Sequence, residues 1–221
     1  MNLRNIFPAS FLLAVLAGAV LSFGLQDESK TVFDPKGRLL TEGRIFSFAC
    51  HDFDSDGRLD IAVSDYLNPA RILFGDADLA FKRTVGLTIT AETATTGHGV
   101  AIRDFNGDGR LDLFLVFNEF ESRILLGDGR GGFADSGQGV GPSGFNGTSV
   151  RAADFDGDGD TDAVVTYYQK GARLYLNNGT GVLSDSGQIF PEFFEMGDLD
   201  GDGDLDALSL EESKTVFIWL N

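Results

Sequence analysis

Twenty residues recur at distances that suit one chemistry, the binding of a hard cation. The pattern D-x-D-x-D-G-x-x-D occurs four times, with Asn once at its third position. Its carboxylate and amide positions are Asp52, Asp54, Asp56 and Asp60; Asp104, Asn106, Asp108 and Asp112; Asp154, Asp156, Asp158 and Asp162; and Asp198, Asp200, Asp202 and Asp206. Acids at alternate positions repel one another in an ordinary loop. Calcium removes that penalty, because it takes roughly six to eight oxygens at about 2.3–2.6 Å in a flexible shell. Positions 1, 3, 5 and 9 offer side-chain oxygens. Position 7, held by Arg58, Arg110, Asp160 and Asp204, can add a backbone carbonyl. Glycine at position 6 (Gly57, Gly109, Gly159, Gly203) permits the sharp turn that a Cβ would oppose.

An EF-hand shares positions 1, 3, 5 and 6, but closes with Glu at position 12 and enters a helix. Here position 12 is Val63, Leu115, Val165 and Ser209. Each loop runs instead into a short β-rich stretch, such as Ile61-Ala-Val-Ser64 or Leu113-Phe-Leu-Val116. The loops therefore join strands, with Asp at position 9 closing each site.

The loops start at 52, 104, 154 and 198, spacings that indicate a propeller or a solenoid. The second copy defines a unit: a strand over Val100–Phe105, the acidic loop, strands over Leu113–Phe117 and Arg123–Leu126, a glycine-rich hairpin, and a fourth strand from Phe133. Arg71 and Arg173 open the third strand at the same offset as Arg123. Asn178-Gly179 is a hairpin dipeptide. Ala134–Gln138 and Ser184–Gln188 share the sequence Asp-Ser-Gly-Gln and mark the point after strand four. The expected fold is all-β, a β-propeller of about four four-stranded blades. The last copy stops at its third strand, Trp219-Leu-Asn221, and Lys30–Gly43 reads as the end of a unit that completes it. Glu-Ser-Lys-Thr-Val-Phe occurs at 28–33 and again at 212–217, so strand three is supplied twice.

These loops, with the hairpin Leu125-Leu-Gly-Asp-Gly-Arg-Gly-Gly-Phe133, resemble the FG-GAP/VCBS repeat family of calcium-loop propellers related to integrin α-chain heads. The resemblance spans residues 30–221. It implies calcium on one rim and partner recognition elsewhere on the disc. Family propellers commonly have more blades, which leaves three arrangements open: a closed four-blade ring, an open fragment, or a half that self-associates.

Composition agrees with a folded, exported protein. Hydrophobic residues make up 43% against 23% charged, enough for a core. The net charge of −17 is concentrated in the loops, and clustered Lys and Arg are missing, which argues against nucleic acid as a partner. Residues 1–24 read as a signal peptide: Arg4, an apolar run over Phe11–Leu21, and small residues near Gly24. Uncleaved, the same stretch would be the chain's contact with a membrane. Residues 25–221 form the repeat domain, expected in a secreted, periplasmic or cell-surface setting. The single cysteine, Cys50, lies in an apolar run and reads as a small buried hydrophobe.

The functional expectation is a calcium-binding module for a protein or glycan partner, with calcium mainly structural and no enzyme activity. The second loop, with fewest acids, is expected to lose its ion first. His98 reads as a solvated or turn histidine, and catalytic signatures such as H-E-x-x-H and G-x-S-x-G are missing. The alternative is an accessory or catalytic propeller of an extracellular hydrolase or lyase. Thr84–Gly97 and Gly139–Gly147 are the long connections. Tyr66, Phe120, Tyr167 and Tyr168 sit in turns where they either meet a partner or pack between blades.

Overall fold

Each apolar run that follows an acidic loop becomes a central strand of an antiparallel sheet. The computed structural model describes residues 44–65, 68–78, 80–89, 97–211 and 215–219, all within a unit spanning Leu40–Asn221. The first sheet takes β1 (Ile45–His51), β2 (Asp60–Asp65), β3 (Arg71–Phe74) and β4 (Arg83–Gly86) in sequence order. The second takes β5 (Gly97–Arg103), β6 (Asp112–Phe117), β7 (Ser122–Gly127) and β8 (Phe133–Val140). The third takes β9 (Gly147–Ala153), β10 (Asp162–Tyr167), β11 (Gly171–Asn177) and β12 (Leu183–Phe190). The last has three strands among the described residues: β13 (Phe193–Gly197), β14 (Asp206–Glu211) and β15 (Thr215–Trp219). No helix occurs among the described residues. The expected unit is thus observed: strand, acidic loop, strand, turn, strand, hairpin, strand.

The strands after the first three loops are almost wholly buried, which explains why they read as continuous apolar runs rather than alternating ones, whereas β14 leaves Leu210 exposed. All six residues of β6 and of β10 are buried. Their alternation still sorts them by neighbour. Leu113, Leu115 and Phe117 pack with Ala62, Ile72 and Phe74 of the first sheet. Phe114 and Val116 face the third sheet and meet Ala163, Val165 and Tyr167. Val164 points the other way, towards Phe194 and Ala207 of the last sheet. A slip of one residue would exchange these faces, so the pattern specifies the register. Fully burying a Leu or Phe contributes about 1.5–3 kcal/mol, which makes the three layers the main stabilising term.

Several expectations are corrected. Cys50 is exposed, because the outward face of β1 carries Phe48 and Cys50 while Ala49 turns inward. His98 lies within β5, stacked on the Phe46 ring at 4.5 Å. Burial pushes its pKa below the ordinary imidazole value, partly offset by a hydrogen bond with the Gly147 backbone. The Asp-Ser-Gly-Gln segments are inside β8 and β12, not after them. Gly137 and Gly187 take φ of 81° and 80° there, where the register with the third strand shifts. Tyr167 is a core residue, 1% exposed, with its hydroxyl 2.9 Å from that of Tyr175. Phe120 is half-buried against the core between the first two sheets. Tyr168 alone of that group is exposed among the described residues, at 53%. Tyr66, the 25–43 segment and the signal stretch lie outside the described residues.

Candidate metal centres

The four loops are positioned by a device common to them all. Asp at position 9 opens the central strand and is buried in every copy: Asp60, Asp112, Asp162 and Asp206. One oxygen accepts the N–H of position 2, from Phe53, Phe105, Phe155 and Leu199, at 2.8–2.9 Å. In the first three copies the other oxygen accepts the N–H of the residue ending or following strand three: Gly75 at 2.7 Å, Gly127 at 2.8 Å and Asn177 at 2.7 Å. The carboxylate therefore buckles the loop to the third strand. Desolvation raises the pKa of Asp60, Asp112 and Asp162, the two backbone bonds lower it, and neighbouring loop acids raise it further. The sequence suggested a ligand at position 9. The structure shows a structural duty there. Its signal was the residue fifteen places on, which is Gly75 and Gly127, where a Cβ would strike the carbonyl of Leu59 or Leu111. Asn177 fills that place in the third copy, and its amide donates to the carbonyls of Phe105 and Thr161.

The remaining loop acids fold the turn. Position 1 accepts the N–H of the position-6 glycine: Asp52 from Gly57 at 2.7 Å, Asp104 from Gly109 at 2.7 Å, Asp154 from Gly159 at 2.9 Å and Asp198 from Gly203 at 3.2 Å. Those glycines have φ of 84°, 81°, 94° and 101°, the region that glycine tolerates. Position 5 accepts the N–H of position 7: Asp56 from Arg58, Asp108 from Arg110, Asp158 from Asp160 and Asp202 from Asp204.

Positions 1, 3 and 9 then converge. Asp52, Asp54 and Asp60 each offer a carboxylate oxygen within 4.8 Å of the others. The same is true of Asp154, Asp156 and Asp162, and of Asp198, Asp200 and Asp206. Oxygens that close to one another match the shell of a hard divalent ion better than they match one another. Asp54 Oδ1 is buried and takes no hydrogen bond among the described residues, the state of a donor set made for a cation. The residues thus fit calcium, with Asp56, Asp108, Asp158 and Asp202 near enough in sequence to complete the shell. In the second loop Asn106 replaces the acid. Its amide donates to Asp108 at 3.2 Å and its oxygen accepts the Asp108 N–H at 3.1 Å, so that loop is satisfied internally.

The position-7 residues divide the loops. Arg58 folds back on Asp56 at 2.6 Å and Arg110 on Asp108 at 3.2 Å. Asp160 and Asp204 instead add a fifth carboxylate to the third and fourth loops. Desolvation raises the pKa of Asp160, and the charges of Asp158, Asp154 and Asp156 raise it further. At Asp200 the bond from the Asp202 N–H pulls the pKa down, but desolvation and the neighbouring acids outweigh it and the value is raised. A residue that sequence reading missed also enters the first loop. Arg83 of β4 places Nη1 2.8 Å from Asp54 Oδ2.

Strand-linking acidic loops of this form, repeated along a row of antiparallel sheets, define a class of repeat proteins. The model of the FG-GAP-like repeat matches residues 52–115, 104–165 and 154–209. The chain belongs to that family. No curated protein matches it. Among solved structures it is similar to the V. cholerae biofilm matrix protein Bap1, at 22% identity and a TM-score of 0.42. That likeness covers 73% of this chain and 23% of Bap1, so the chain spans about a quarter of that protein's length.

Proposed function

We propose that this chain is an exported, calcium-stabilised β-propeller module that binds a protein or glycan partner outside the cell and catalyses no reaction. The observation that carries the reading is the convergence of three carboxylates at each of three loops. Crowded acids cost stability unless a cation sits among them, so calcium here holds the rim in shape. Membership of the FG-GAP-like family and the apolar N-terminal stretch support an extracellular setting, where such sites stay filled. In this reading the sheets are blades, about four in number.

Partner recognition falls on the rim opposite the loops. The β10–β11 turn there presents Tyr168, exposed, next to Gln169 at a φ of 55°. An exposed aromatic on a tight turn suits stacking on a sugar or anchoring in a protein pocket. Melting with calcium and with EDTA tests the stability half of the proposal; equal melting temperatures would refute it. Glycan and protein arrays, probed with wild type and with Tyr168→Ala, test the binding half.

A further inference from the structure

The first loop carries its own cation. Arg83 stands 29 residues from Asp54 in sequence, yet its guanidinium bonds Asp54 Oδ2 at 2.8 Å. Two features hold it there. Its Cζ lies 3.6 Å from the centre of the Phe74 ring, the residue it faces across the β3–β4 ladder. Gly131 of the next sheet leaves the room, since a Cβ on it would meet Phe74 and come within 3.2 Å of Arg83 Nη2. The register gives the equivalent residues in the next two sheets. Leu126 faces Ala134 and Leu176 faces Ser184, so neither the second nor the third loop receives such a group.

We propose that Arg83 is a tethered competitor for the divalent ion at the first loop. This inference rests on the calcium reading above. The guanidinium occupies Asp54, one of the three converging acids, and partly neutralises the site before any ion arrives. Arg58 does the same for Asp56. The first loop then keeps its shape without calcium and binds it weakly. The third and fourth loops, with five acids each and no arginine of their own, depend on the ion.

The position-6 glycine amides provide one reporter per loop. Calcium is titrated into the calcium-free full chain while the amide signals of Gly57, Gly109, Gly159 and Gly203 are followed by NMR. In wild type, Gly57 is expected to respond at calcium concentrations at least about tenfold above those for Gly159 and Gly203, the order of effect a nearby, partly screened unit charge exerts. Arg83→Gln is expected to shift the Gly57 response tenfold towards tighter binding and leave Gly159 and Gly203 unchanged, whereas Arg83→Lys keeps it weak. Without calcium, Arg83→Gln is also expected to lower the melting temperature, and calcium to restore it. Equal Gly57 affinities in wild type and Arg83→Gln would overturn the proposal while leaving calcium binding at the other loops standing. Silence at all four glycines would overturn the calcium reading itself.

Discussion

The first two acidic loops and the last two share one backbone and differ in charge. In all four, Asp at position 9 is buried, Asp at position 1 holds the position-6 glycine, and position 5 holds position 7. Arginines are in contact with the acids of the first two loops: Arg58 and Arg83 in the first, Arg110 in the second. The last two replace the position-7 arginine with a further Asp. The hydrogen bonds that shape the turn are therefore common to all four loops. What differs is the electrostatic cost of keeping the acids together, which falls on the second half of the molecule. A repeat can thus keep its backbone hydrogen bonds and vary the charge of its loop through one or two side chains.

The largest effect should come from the shared buckle. Asp162→Ala strands the Phe155 and Asn177 N–H groups in the interior and removes two bonds to a charged acceptor. It is expected to cost about 3 kcal/mol or more in urea unfolding. Asp112→Ala should cost a similar amount, since its bonds are the same. A large difference between the two would break the claim that the halves share a backbone device.

The charge difference is sharpened by transplanting it. Asp160→Arg gives the third loop the position-7 residue of the first two. It is expected to weaken calcium binding there about tenfold and to shrink the fall in melting temperature caused by EDTA. An unchanged EDTA effect would place the metal dependence elsewhere. Hydrogen exchange should show the same asymmetry: on chelation, amides around Gly159 and Gly203 lose protection before those around Gly57.

Smaller effects test the layers and the opposite rim. Gly141 sits at a φ of 89° against the paired hydroxyls of Tyr167 and Tyr175. Gly141→Ala would place a methyl on the Tyr167 hydroxyl in a disfavoured backbone region, with an expected loss of about 2 kcal/mol. Tyr168→Ala should move stability by less than about 0.5 kcal/mol, because the ring packs little. Its effect, if the binding reading holds, appears in partner capture alone.

What the chain's order of residues determined is local and periodic. Acids at alternate positions with glycine at the sixth specify a turn that gathers oxygens, and apolar runs after them specify strands. Both follow from chemistry within about a dozen neighbouring residues, so the loops, the strand order within each sheet and the family resemblance were legible. Partners far apart in sequence were decided only when sheets packed on sheets. The entry of Arg83 into the first loop depends on the β3–β4 ladder and on the gap left by Gly131. The buckle made by Asp162 depends on Asn177, fifteen residues away. The exposure of Cys50, the stacking of His98 and the burial of Tyr167 depend on which face of a strand meets a neighbouring sheet. A two-residue period states that a strand has two faces, but only the packing of the layers chooses which of them is inside.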